Sequence, residues 1–121
     1  MADKTPAALA DEAAEAIRAI IHLTQGAPRD DWEEPGDVYS LVGNLSQMAM
    51  RLEQALQQAS RLVAGLNESG RLRSDRDQLE NDLTETFHGL DAARIASHRL
   101  YGALDRAHNG LGSIGLKDAG Q

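Results

Sequence analysis

The chain has no cysteine, so it can form neither a disulfide framework nor a thiolate metal site. Cysteine usage therefore says nothing of its redox compartment. Aromatic residues are nearly missing too: one Trp, one Phe and two Tyr in 121 residues. A core drawn from Leu, Ala, Ile and Val suits helix packing and argues against a β-sandwich. No apolar run approaches the roughly 20 residues that span a bilayer. The opening MADKTPAALADEAAEA carries acids where a signal peptide has its apolar centre, which leads us to expect a cytoplasmic protein. Positive charge is scarce. The net charge is −7, with four Lys/Arg against ten Asp/Glu in residues 1–60 (−6) and eight against nine in residues 61–121 (−1). Without a basic face, neither nucleic acid nor an anionic membrane surface is expected as a partner.

What is present is heptad periodicity. From Val38 to Leu66, the positions Val38, Leu41, Leu45, Met48, Leu52, Ala55, Ala59, Leu62 and Leu66 step by three and four in alternation. This is an a/d series. A third column, Val42, Ala49, Leu56 and Val63, runs beside it at seven-residue intervals. Three apolar columns in seven give a stripe broad enough for the core of a helical bundle. At 121 residues the chain fits a single helical-bundle domain, 1–121, that needs no staple.

Two further helices flank this one. Thr5-Pro6 reads as an N-cap followed by proline at the first helical position. Leu9, Ala13, Ala16, Ile20 and Leu23 then repeat by four and three until Gly26, a left-handed stop. Helix 1 is expected over about 6–25. Pro35 opens helix 2, with Asp37 in the dipole-favoured first turn, and the helix continues to about 66. A turn around Gly70 follows. Ser74 to Asp77 resembles a capping box, which predicts helix 3 over 75–109 with the seam Leu79, Leu83, Thr86, Leu90, Ala93, Ser97, Leu100, Leu104, Ala107 and Leu111. Residues 112–121 read as a flexible tail. The expected fold is all-α: an antiparallel three-helix bundle with one short and two long helices.

The unequal lengths carry a consequence. Helix 1 reaches only about Val38 to Ala55, so the turn end of helices 2 and 3 is left as a bare hairpin. We expect a homodimer to cover it through Leu56, Leu62, Val63, Leu66, Leu79, Leu83 and Phe87. Leu52→Asp, on the central stripe, is expected to unfold the protein.

Chemistry-bearing patterns are few. Glu85-Thr-Phe-His88 and Asp105-Arg-Ala-His108 have the carboxylate-x-x-His spacing of di-metal bundles, but they lie at different levels and on different faces. Among the four histidines (22, 88, 98 and 108), His98 stands seven residues from both Asp91 and Asp105, too far for direct bonds on one helix. No nucleophile elbow, phosphate loop or dinucleotide turn is present. We expect no catalytic residue, no metal and no cofactor. Arg71, Arg73 and Arg76 are interleaved with Asp75 and Asp77, so the second turn reads as self-paired. The connection Asp30, Asp31, Trp32, Glu33 and Glu34 is the candidate partner-facing loop. Its lone Trp reads either as a lid over the core end or as an anchor for another protein.

Two resemblances follow from short segments. Glu15-Ala-Ile-Arg-Ala-Ile-Ile-His22 and Pro35-Gly-Asp-Val-Tyr39, within Ala13 to Leu45, resemble a family of small uncharacterised helical proteins of actinobacteria; the likeness involves no catalytic motif and implies a bacterial cytoplasmic origin. Tyr101-Gly-Ala-Leu-Asp105 is similar to the Tyr-x-x-x-Asp element of WXG100-type proteins, helical-hairpin dimers exported by type VII secretion. That likeness implies recognition through Tyr101 and Asp105, although the Trp-x-Gly turn of that family is missing. The function expected from the residues is a non-catalytic interaction protein acting through self-association and binding to another protein. The alternative is a type VII substrate.

Overall fold

The computed structural model describes residues 4–26 and 34–117. Among them the chain is all-α, with one short helix and two long ones: α1 Pro6–Thr24, α2 Pro35–Glu68 and α3 Leu79–Leu111. It divides into two compact units, Met1–Glu33 with α1 and Glu34–Gln121 with α2 and α3.

The caps of α1 fall where local chemistry puts them. The Ala8 amide donates to Thr5 Oγ1 at 3.1 Å, satisfying one of the free donors of the first turn. Pro6 sits at the first position, and Gly26 takes φ 92° just beyond the helix. Lys4 reaches Glu12 at 2.7 Å. Leu9, Ile21 and Leu23 are exposed, while Ile17 and Ile20 are half-buried.

α2 begins at Pro35, with Glu34 as N-cap and its amide donating to Asp37 Oδ2 at 3.0 Å. It runs two residues past the expected end. Gly70, at φ 73°, closes the turn, and the Ser69 hydroxyl donates to the Leu66 carbonyl.

α3 starts later than the capping-box reading placed it. Ser74 does not cap a helix: its hydroxyl accepts from the Arg76 amide and donates to Asp82. Asp77 takes φ 54°, a left-handed conformation that a helix cannot run through and that Asp tolerates better than most residues. The helix starts only at Leu79. At the other end the helix runs two residues past the expected 109, through Leu111, and Gly112 is the C-cap.

α2 and α3 lie antiparallel along their lengths. Tyr39 near the start of α2 stacks on His108 near the end of α3, with ring centroids 3.9 Å apart. Glu53 at mid-helix meets His98 at 3.2 Å. The buried residues of this pair are Ser46, Ala49 and Ser97. Tracing half-buried and buried positions outward from them gives the α2 seam as Val42, Ser46, Ala49, Glu53, Leu56, Ser60 and Val63, joined by Tyr39 through its stack. On α3 it is Leu83, Phe87, Leu90, Arg94, Ser97, Tyr101, Leu104, His108 and Leu111. Both series step by three and four, as a knobs-into-holes seam requires.

This seam corrects the expected one. The third column of α2 faces α3, and the Leu-rich a/d series lies one residue to the side of it. Leu52, expected at the centre of the core, is 45 % exposed, and Val38, Met48, Leu62 and Leu66 are exposed as well, while Leu41, Leu45 and Ala59 of the same column are half-buried. On α3, Leu83, Leu90, Ser97, Leu104 and Leu111 hold their expected places. Phe87, Arg94, Tyr101 and His108 take the other column in place of the exposed Thr86, Leu100 and Ala107, and Ala93 is half-buried beside Arg94. The reason is steric. Ala49, 2 % exposed, and the small Ser46, Ser60 and Ser97 let the two backbones come close, whereas a Leu column would hold them apart. Gly43 shows the same closeness, since a Cβ there would lie 2.8 Å from His108 Nε2.

Candidate interaction surface

In an antiparallel pair, residues one step before each seam position fall on the same face in both helices, and residues one step after fall on the opposite face. This follows from the reversed sense of rotation of the two chains. A surface groove of about 250 Å³ displays the second set: Gln57, Arg61 and Asp91 line it beside the seam residues Leu56, Ser60, Leu90 and Arg94. That face is polar. It also holds Glu53, which accepts from His98 Nδ1 at 3.2 Å when that nitrogen carries the proton, and which lies 3.9 Å from Arg94. Asp91 accepts from Arg94 at 2.8 Å. This hydrogen bond and charge push the Arg94 guanidinium above its usual range. Asp91 is exposed and Arg94 only half-buried, so this pair positions side chains more than it stabilises the fold.

The opposite face is apolar. α2 contributes Val38, Leu41, Leu45, Met48, Leu52, Ala55, Ala59, Leu62 and Leu66, of which Leu62 is 66 % and Leu66 47 % exposed. α3 contributes smaller side chains, among them Gly89, Ala93, Ala96, Ala103, Ala107 and Gly110, with Leu100 standing out at 48 % exposure. A run of exposed large apolar residues along one face is uncommon on a monomer.

The expected dimer residues divide between these environments. Leu62 and Leu66 lie on the open apolar face. Leu56, Val63, Leu83 and Phe87 are half-buried in the seam, and Leu79 is half-buried at the start of α3. Of the expected partner-facing loop, Asp30, Asp31, Trp32 and Glu33 lie outside the described residues, and Glu34 is exposed as the α2 N-cap.

The chemistry-bearing candidates stand apart. Glu85, His88 and Asp105 are exposed on α3, and His108 is held against Tyr39. Among the described residues no three His, Asp or Glu side chains come together as metal ligands would. His98 pairs across the seam with Glu53, a contact that spacing along one helix could not reveal. Tyr101 is half-buried at a seam position, so its ring serves packing within the hairpin.

At the second turn the expected self-pairing holds only in part: Arg73 finds its partner within the turn, Arg76 reaches into α3, and Arg71 donates to the Ser69 hydroxyl. Arg73 meets Asp75 at 2.8 Å, while Arg76 pairs with Asp82. The Ser74 hydroxyl, followed by the Arg76 hydrogen bond and charge, holds the Asp82 carboxyl below its usual range against a partial loss of hydration.

No helix among the described residues is long and apolar enough to cross a membrane. No family model, no curated protein and no solved structure matches the chain.

Proposed function

We propose that the chain is a non-catalytic helical protein that acts by association, and that its first partner is a second copy of itself. The observation that supports this reading is the placement of the Leu-rich column of α2 outside the hairpin seam, where Leu52, Leu62 and Leu66 are each exposed by 45 % or more. Residues of this size are worth roughly 1.5–3 kcal/mol each when fully buried. Leaving several of them wet is a large sum beside a domain stability of about 5–15 kcal/mol. Closed two-fold symmetry is the commonest way for one chain to cover such a surface.

Static light scattering at tens of micromolar tests the proposal. A dimer mass is expected for the wild type. Leu62→Glu, which places a charge on the most exposed leucine of the face, is expected to give a helical monomer. A wild-type monomer at that concentration overturns the reading.

A further inference from the structure

We infer that the two copies meet with α2 of each lying on α3 of the other, the two-fold axis running along the hairpin; this rests on the self-association proposed above. The apolar face is long and wide. From Leu41 to Leu66 it extends for about 37 Å, and two helix widths make it about 20 Å across. Its area is then about 750 Å², close to the roughly 800 Å² per partner of a standard stable interface. A single added helix, about 10 Å wide, would cover half of that width, whereas a second hairpin covers all of it.

Shape selects the pairing. The levels of the two helices are set by Glu53 against His98 and Gly43 against His108. On that scale Leu62 stands level with Gly89 and Met48 with Ala103. An axis along the hairpin keeps levels unchanged, so Leu41, Met48 and Leu62 of α2 meet Gly110, Ala103 and Gly89 on the partner's α3, while Leu52 meets Leu100. Space is present where this demands it, since a Cβ on Gly89 would meet nothing within 4 Å. The other two-fold arrangement, with the axis across the hairpin, stacks the α2 ridge on its own copy. It sets Leu52 against Leu52 and leaves the small residues of α3 facing each other across a gap, which forfeits packing contact.

The absence of cysteine makes the test clean. Leu62→Cys and Gly89→Cys are made as separate chains, mixed, dissociated and reassociated, then oxidised; circular dichroism confirms that each variant is helical. A disulfide needs Cα atoms within about 7 Å, so it reports direct apposition. The mixture is expected to form a cross-linked mixed dimer in its statistical share, and Leu62→Cys alone or Leu52→Cys alone is expected to stay unlinked. A disulfide in either single variant, or a dimer by light scattering without the mixed cross-link, overturns this arrangement while leaving self-association standing. A wild-type monomer overturns both, and assigns the face to another segment or another protein.

Discussion

Two single residues carry energetic signs that can be worked out from their surroundings. Ser46 is 4 % exposed and its Oγ has no hydrogen-bond partner among the described residues. A buried hydroxyl without a partner has lost its water for no return. Ser46→Ala removes that cost and adds helix propensity, so it is expected to stabilise the hairpin by about 0.5–1 kcal/mol, read as an increase in the urea midpoint at unchanged slope. Asp82 behaves oppositely. Its folded-state pKa is depressed, first by the Ser74 hydroxyl and then by Arg76. Its contribution is therefore fully present above the pKa of an unfolded Asp and is lost as pH falls through the lower folded value. Asp82→Asn is expected to melt below the wild type at neutral pH, and the two melting curves should converge in strong acid. A gap that persists at acid pH would mean that the side chain acts through packing instead.

At the level of the element, helix existence was legible and helix orientation was not. Thr5, Pro6, Gly26, Pro35 and Gly70 mark helix ends by local backbone chemistry, which needs no knowledge of the rest of the fold. The start of α3 was missed because Ser74 and Asp77 can build either a cap or a turn, and Asp82, eight residues on from Ser74, decides for the turn by taking the Ser74 hydroxyl. The seam was displaced by one residue for a related reason. Apolarity alone favours the column through Leu52, but that ranking ignores how near two helices can approach, and small residues such as Ser46, Ala49 and Ser97 win where contact is closest. Ala49 should then be intolerant of size. Ala49→Leu is expected to cost about 1–3 kcal/mol through overpacking, measured by urea unfolding. A stable Ala49→Leu protein would put the α2–α3 contact on a different face.

For the whole molecule, the same displacement separates two kinds of leucine that look alike in the sequence. Leu83 is half-buried in the α2–α3 seam, whereas Leu52 and Leu62 face outward. The all-α fold could be inferred from the heptads, but not which heptad positions close the hairpin and which stay outside it. His98 against Glu53 and Tyr39 against His108 were beyond reach for the same reason, because each joins residues far apart in the chain whose proximity depends on helix rotation. The distinction has a direct consequence for charge substitutions. Leu83→Glu places a carboxylate between the helices, where desolvation is costly, and should reduce both helicity and the unfolding midpoint. Leu52→Asp places one on the outer face, where a monomer keeps it hydrated. It should leave the far-ultraviolet spectrum of a helical protein unchanged while reducing the light-scattering mass from dimer to monomer. If Leu52→Asp instead unfolds the chain, the Leu-rich column belongs to the intramolecular core, and the surface proposed for the partner is lost with it.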